Sequence, residues 1–337
     1  MAAEVKNNFP QRTEAEPGPA EIALITGGTG GIGREVAKRL AKQGKRVIIG
    51  TRDPEKFERI SSEIEQSGGI SPAPFIADIT DPSEIATAYQ ESGLKPGQAV
   101  DYYALAAGGL DAASIDIGRV FVGLMRQLKT PEGITPEAAE EATQRFREIM
   151  TRESVVEAAR QINLIAPVLL GRDLEQNGNL NKNSRIVYLG STISEYTREI
   201  LERLGPDEAH QIDNLYPGPE HYRVVGIYKA QGILGLRDLA KDSGAVFYNF
   251  VAPGVTDTPI GNFFGRFVPV LEAVHKLTSD EPFEFPTPSA SEVADVIVTE
   301  IGKPPLSHEN TLYIGYHPGE ISSIKPSNFR TPIIDFL

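Results

Sequence analysis

From Glu21 onward, short apolar runs alternate with longer segments whose apolar residues recur at helical spacing. Glu21 to Thr26 (EIALIT) is one apolar run, a glycine cluster follows, and Arg34 to Gln43 carries Val36 and Leu40 on one helical face. Lys45 to Gly50 (KRVIIG) reads as a second strand, Pro54 to Gln66 as a polar helix, Pro74 to Ile79 as a third strand, and Asp81 to Glu91 as a helix with an acidic first turn. Further strands are expected at Asp101 to Ala106, Arg185 to Leu189, Ala245 to Val251 and Thr311 to Gly315. Strands that alternate with helices of about ten residues predict an α/β chain built on a parallel sheet covered on both faces. Seven strands in this order give one doubly wound domain over residues 21–337, preceded by a polar, Pro- and Glu-rich tail over 1–20 that reads as disordered.

Two stretches exceed what simple strand-to-helix connections need. One, at about 109–150, contains its own helix opened by Thr135 and Pro136; the other, at about 194–221, carries an apolar stripe of Tyr196, Ile200 and Leu204 that stops at Gly205-Pro206. Both are read as helical insertions capping an active cleft. The mostly apolar segment Gly261 to Leu277 is expected either to join them in a roomy pocket suited to a bulky or acyl-chain substrate or to be an ordinary packing helix. Past Gly315 the chain, with Pro326 and Pro332, reads as too irregular for another core element.

Charge and composition narrow the chemistry. A net charge of -13 argues against nucleic acid and anionic membrane as partners. The chain has no cysteine, so disulfides, thiolate nucleophiles and sulfur-bound metals are excluded; the five histidines are too scattered for a zinc motif, and no metal is predicted. No run approaches the ~18 apolar residues of a membrane helix, and the start lacks the signature of a signal peptide, which makes the cytoplasm the expected compartment.

The first turn reads TGGTGGIG, Thr26 to Gly33. Gly28, Gly30 and Gly33 satisfy one dinucleotide-binding spacing, while Gly27, Gly31 and Gly33 satisfy a second, TGxxxGxG. In either, missing side chains let the backbone approach a pyrophosphate at a helix N-terminus. About twenty residues on, where such folds read the adenosine ribose, stand Thr51 and Arg52 with no acid at the strand end. A guanidinium suits a 2′-phosphate, so NADP(H) is favoured over NAD(H).

Taken together, these residues resemble the short-chain dehydrogenase/reductase family, a Rossmann-like fold, from Glu21 to about Gly315. The resemblance implies cofactor contacts from Gly27, Thr29, Gly30, Gly31, Ile32 and Gly33, and from Asp78 and Ile79 at the adenine edge. It adds Ala106, Ala107 and Gly108, in the place of the family's NNAG stretch with the asparagines absent, and Pro253, Gly254, Val255 and Thr258 around the nicotinamide carboxamide. It implies a catalytic set of Ser191, Lys229 and the structural Asn163. One departure stands out. Val225 occupies the usual tyrosine position four residues before Lys229, whereas Tyr222 stands seven before it, a YxxxxxxK spacing similar to the enoyl-acyl-carrier-protein reductase branch. Seven residues are nearly two helical turns, so Tyr222 and Lys229 share a face, about 20° apart.

In this arrangement Tyr222 would act as proton donor or oxyanion stabiliser, with the positive charge of Lys229 lowering its pKa. Lys229 would also hold the nicotinamide ribose, Ser191 would bind the substrate oxygen, and Asn163 would support a water chain behind the lysine. Hydride transfer to a carbonyl, or to a double bond conjugated with one, fits these parts, with a small-molecule or acyl-carrier-bound substrate. A catalytically degenerate NADP(H)-binding sensor or scaffold is the alternative from another class. The resemblance further implies a homodimer or homotetramer.

Overall fold

The computed structural model describes residues 20–106, 111–130, 132–204, 220–252, 266–278, 288–314 and 321–323. Its sheet contains β1 (Ile22–Thr26), β2 (Arg46–Thr51), β3 (Ala73–Ile76), β4 (Tyr102–Leu105), β5 (Arg185–Ser191), β6 (Val246–Ala252), β7 (Glu309–Ile314) and β8 (Ile321–Ser322), in the order β3-β2-β1-β4-β5-β6-β7-β8. All neighbours are parallel except β7 and β8. The seven strands expected from the apolar runs are therefore present. The stretch past Gly315 needs a correction: residues read as too irregular for a core element supply a two-residue antiparallel strand, Ile321 and Ser322 pairing with Ile314 and Tyr313. Two pairings are too few to leave a hydrophobic alternation in the sequence.

The strand order reverses between β1 and β4, and the crevice that opens there at the carboxyl ends is where sheets of this kind bind ligands. Alternate residues of each strand enter opposite layers. On one face Ala23, Ile25, Val47 and Ile49 pack with Val36, Ala37 and Leu40 of α1 (Gly31–Lys42), Phe57, Ile60 and Ile64 of α2 (Pro54–Gln66), and residues of a C-terminal helix, Ala290–Ile301. On the other, Leu24, Ile48, Phe75 and Tyr103 pack with α3 (Pro82–Glu91) and with two later helices, Ala166–Gln176 and Glu220–Ser243. Each Leu, Ile or Phe so buried contributes about 1.5–3 kcal/mol, and the two layers fix the sheet that carries the site.

A third apolar cluster stands apart from both. Ile117, Phe121 and Leu124 of α4 (Asp111–Gln127) face Ala139, Ala142, Phe146 and Ile149 of α5 (Pro136–Met150). Thr135 caps α5 by accepting the Ala138 amide, with Pro136 at the first helical position, as its sequence implies. Phe267 stacks on Phe121 at 4.7 Å between centroids, followed by Val270, Leu271 and Val274 of the helix Val268–Thr278. The apolar face expected to line a roomy pocket thus packs against the first insertion.

The remaining helices in chain order are α6 (Glu153–Arg160), α7 (Ala166–Gln176), α8 (Thr192–Leu204), α9 (Glu220–Ser243), α10 (Val268–Thr278) and α11 (Ala290–Ile301). Helix α8 begins directly after β5, two residues before the expected insertion, and ends at Leu204 where the apolar stripe predicts. Residues 205–219 and the tail over 1–19 lie outside the described residues. Between α6 and α7 the chain makes a π-turn, Gln161–Ile165, and there α9 comes closest. A Cβ at Gly232 would fall well inside van der Waals contact distance of the Asn163 carbonyl oxygen, a backbone atom that cannot rotate away. At Gly171 the nearest atom is instead the end of the Leu239 side chain, which can rotate away. Gly232→Ala is expected to destabilise the protein by about 1–3 kcal/mol through overpacking and Gly171→Ala by clearly less, as read from chemical denaturation midpoints of the two variants.

Candidate active site

The glycine turn resolves which of the two spacings the backbone uses. Gly27 and Gly31 have positive φ of 67° and 46°, a region that side chains disfavour, and a Cβ at Gly33 would lie 2.5 Å from the Gly27 carbonyl oxygen and 2.9 Å from the Ala106 Cβ. Gly27, Gly31 and Gly33 are therefore the glycines the turn requires, matching TGxxxGxG. Gly30 has ordinary extended φ, precedes α1 as its N-cap and has open space where a Cβ would stand. The Gly27 amide donates to the Gly50 carbonyl at 3.0 Å and the Ala106 amide to that of Thr26 at 3.2 Å, which ties the turn to β2 and β4.

The start of α1 suits a phosphate. It has no side-chain cap and no acid in its first turn, whereas Asp53, Asp81 and Ser289 cap α2, α3 and α11. Helix N-terminal amides carry partial positive charge that an anion satisfies, and a side chain at Gly30 would intrude on that space. The residues present thus fit a dinucleotide pyrophosphate. Ile32 turns its side chain into the core beneath, and Thr29 donates its hydroxyl to that of Thr51 at 3.2 Å.

At the ends of β2 and β3 stand Arg52 and Asp78. The Arg52 side chain is largely exposed, with its guanidinium 3.8 Å from Asp78. Burial disfavours the charged form of Asp78, but hydrogen bonds from the Thr80 amide and hydroxyl, with the Arg52 charge, outweigh it and hold the carboxyl below its ordinary value. Asp53, next to Arg52, caps α2 and pairs with Lys56. Ile79 packs against the core of its own face.

Ser191, Lys229 and the backbone of Asn163 each meet the second half of β5, at different residues. Ser191 is its last residue, paired in register with Ala252. Lys229 Nζ, partly buried, donates to the Leu189 carbonyl at 3.3 Å and lies 6.0 Å from the centre of the Tyr188 ring. The Tyr188 hydroxyl in turn donates to the Asn163 carbonyl at 3.2 Å, the carbonyl against which Gly232 packs. Asn163 is buried, and its side-chain amide donates to the Ala159 carbonyl at 2.9 Å. The sequence gives no sign of the π-turn around it, which inserts one residue per turn and is a frequent feature of functional sites. Loss of solvation lowers the pKa of Lys229 from 10.5 to about 8.

Tyr222 and Lys229 lie on the same helix, since α9 begins at Glu220. The side chain of Tyr222 is outside the described residues, as are Ala107, Gly108, Pro253, Gly254, Val255 and Thr258.

Behind Ser191 is a buried polar cluster that sequence reasoning missed. Ser194 accepts the Ser191 amide at 2.8 Å and donates to the Ser191 carbonyl at 2.7 Å. Glu195, fully buried, pairs with Arg198 at 2.8 Å and accepts from Asn249 Nδ2 at 2.5 Å and from the Tyr313 hydroxyl at 3.4 Å. Buried charge is tolerated only with such partners. Asn249, a lone amide in the apolar run AVFYNFV, is the signal that points to this cluster.

Comparison with known proteins agrees with this geometry. Residues 21–118 match the short chain dehydrogenase family. The very-long-chain 3-oxoacyl-CoA reductase of Macaca fascicularis is 39% identical over 64 residues, 19% of this chain and 20% of that protein, and the 3-dehydrosphinganine reductase of Arabidopsis thaliana is 41% identical over 71 residues, 21% and 22%. These matches span about a fifth of each relative's length. A Streptomyces violaceoruber protein named as a ketoacyl reductase of the granaticin polyketide synthase is 26% identical over 250 residues, covering 73% of this chain and 72% of its own. Among solved structures, L-sorbose reductase from Gluconobacter frateurii, complexed with NADPH and L-sorbose, superposes with a TM-score of 0.53 at 14% identity, over 89% of this chain and 96% of that one, a likeness of fold. Over its first strand-helix units the chain is thus similar to the short chain dehydrogenase family, and the strand order of the whole sheet is that of a doubly wound, Rossmann-like fold.

Proposed function

We propose that the chain is an NADPH-dependent oxidoreductase that reduces a carbonyl, or a double bond conjugated with one, in a bulky or acyl-chain substrate. The reading rests above all on one observation: Lys229 reaches the Leu189 carbonyl, two residues before Ser191 at the carboxyl end of β5, beside the crevice where the strand order reverses. NADPH, when bound, supplies the hydride. Gly27, Gly31 and Gly33 would hold its pyrophosphate with Thr29, Gly30 and Ile32. Arg52 would hold its 2′-phosphate, Asp78 and Ile79 its adenine edge, and Ala106, Ala107, Gly108, Pro253, Gly254, Val255 and Thr258 the nicotinamide side.

The chain's own residues divide the remaining work. Tyr222 gives a proton to the substrate oxygen or, for a conjugated double bond, stabilises the enolate oxygen. Lys229 holds the nicotinamide ribose and lowers the phenol's pKa through its charge. Ser191 donates a hydrogen bond to the substrate oxygen, and the backbone around Asn163 braces the lysine. The ketoacyl and 3-oxoacyl reductases among the relatives favour a carbonyl β to a thioester as substrate, while the YxxxxxxK spacing favours the enoyl type.

Assays of NADPH oxidation against 3-ketoacyl and enoyl thioesters separate the two. Tyr222→Phe is expected to lower kcat by about 10²–10⁴-fold with NADPH affinity unchanged. NADPH binding without turnover of any substrate in the unsubstituted protein would overturn the enzymatic reading in favour of a sensor or scaffold.

The mostly exposed pair of Arg52 with Asp78 is weak, so a phosphate can displace it. Arg52→Ala is expected to weaken NADPH binding by about tenfold, a charge-assisted bond, while leaving NADH within about twofold; equal losses for both cofactors in fluorescence titrations would refute the preference.

The pH dependence follows from the lowered pKa of Lys229. The ammonium is present below about 8 and lost as pH rises through that value, so kcat/KM is expected to fall on the alkaline side of about 8. Lys229→Arg keeps its charge throughout this range; whatever activity the variant retains should lack that limb in a pH-rate profile.

A further inference from the structure

A cleft among the described residues has no part in the site above. It lies on the outer side of the helical layer formed by α4, α5 and the residues entering α10, encloses about 570 Å³, and is lined by Gly118, Arg119, Val122, Gly123, Arg126, Arg145, Arg266 and Phe267. Four of these eight residues are arginines and none is acidic, in a chain of net charge -13. Arg119 pairs with Asp116 at 2.9 Å and Arg145 with Glu141 at 2.7 Å. Among the described residues no acid pairs with Arg126 or Arg266, both exposed. The nearby acids Asp116 and Glu148 line an adjoining hollow with Arg119, Arg145 and Arg152.

Helix periodicity accounts for the convergence. Ile117, Phe121 and Leu124 turn inward to the third cluster, which leaves Arg119, Val122, Gly123 and Arg126 on the opposite face of α4. The favourable end of the helix dipole explains Arg126 in the last turn, but not Arg119, Arg145 and Arg266 beside it. The glycines are equally telling. A glycine inside a helix costs about 1 kcal/mol relative to alanine, and at Gly123 no atom lies within 4 Å of where a Cβ would stand. Packing does not demand it; its effect is to widen the cleft and bare the helix backbone between arginines.

We propose that this cleft binds a small phosphate-bearing ligand at a site separate from the candidate active site. Guanidinium groups match phosphate oxygens through paired, charge-assisted bonds, the volume suits a small molecule, and two arginines without an acidic partner among the described residues, beside two paired ones, suit a ligand with more than one negative charge. The phosphate can come from a free polyphosphate or from the carrier end of a thioester-linked molecule; the chemistry that recognises it is the same.

The test is calorimetric titration of the full chain with inorganic pyrophosphate, comparing the unsubstituted protein with Arg126→Ala/Arg266→Ala, whose exposed positions leave the core untouched; a thermal melt checks this. The double variant is expected to bind pyrophosphate about tenfold or more weakly, whereas binding at the glycine turn contributes equally to both. A second titration with coenzyme A separates the sources: tighter binding than pyrophosphate, lost in the double variant, identifies a carrier-linked ligand, and binding no tighter identifies a free polyphosphate. Superimposable isotherms for a folded double variant and the unsubstituted protein, or no pyrophosphate binding to the latter, would overturn the proposal. Neither result depends on turnover, so the assignment stands or falls apart from the proposed reaction.

Discussion

Two places where the backbone admits no side chain hold this structure in register. Gly33 sits against the Gly27 carbonyl and Ala106, drawing α1 down onto the ends of β1 and β4. Gly232 sits against the Asn163 carbonyl, drawing α9 onto the π-turn. The first contact shapes the phosphate cradle and the second sets where Lys229 emerges beside β5. Because both are contacts to main-chain atoms, which cannot change rotamer to make room, they fix element positions more rigidly than packing between flexible side chains does.

Polarity is distributed with the same economy. Helices α2, α3, α5 and α11 close their N-termini with their own side chains, while α1, which faces the crevice, does not. Among the described residues, Lys229 meets the Leu189 carbonyl and the Tyr188 ring instead of a carboxylate, and its pKa falls for want of solvent. The carboxylate in that neighbourhood, Glu195, is occupied by Arg198, Asn249 and Tyr313 on the far side of Ser191 and Ser194. A buried ion pair contributes little net stability; here the bonds that Glu195 accepts from Asn249 and Tyr313 tie α8 to β6 and β7 and so fix the start of the helix that follows Ser191.

Much of this was legible in the sequence because it depends on local pattern. The apolar runs mark all seven parallel strands, and proline with its preceding cap residue marks the starts of α2, α3 and α5. The glycine turn was legible as a motif but ambiguous in register, since two spacings overlap in TGGTGGIG and only backbone dihedral angles separate them. The two-residue strand β8 and the π-turn at Asn163 have no periodicity to detect. Glu195 was invisible for a different reason: a carboxylate in a polar helix is ordinarily solvated, and its burial depends on residues 54 and 118 positions away. The fate of the apolar segment before Leu277 was likewise decided by long-range contact with Phe121.

The separate apolar cluster of α4, α5 and α10 has a dynamic consequence. It shares no side chain with the two clusters that clamp the sheet, so the free energy that holds these three helices together is largely their own. Such a unit can open as a cooperative block while the strands stay paired, and its amide protons should exchange with solvent through excursions smaller than global unfolding. The helical layer is thereby a semi-independent foldon seated on a stiffer nucleotide-fold platform.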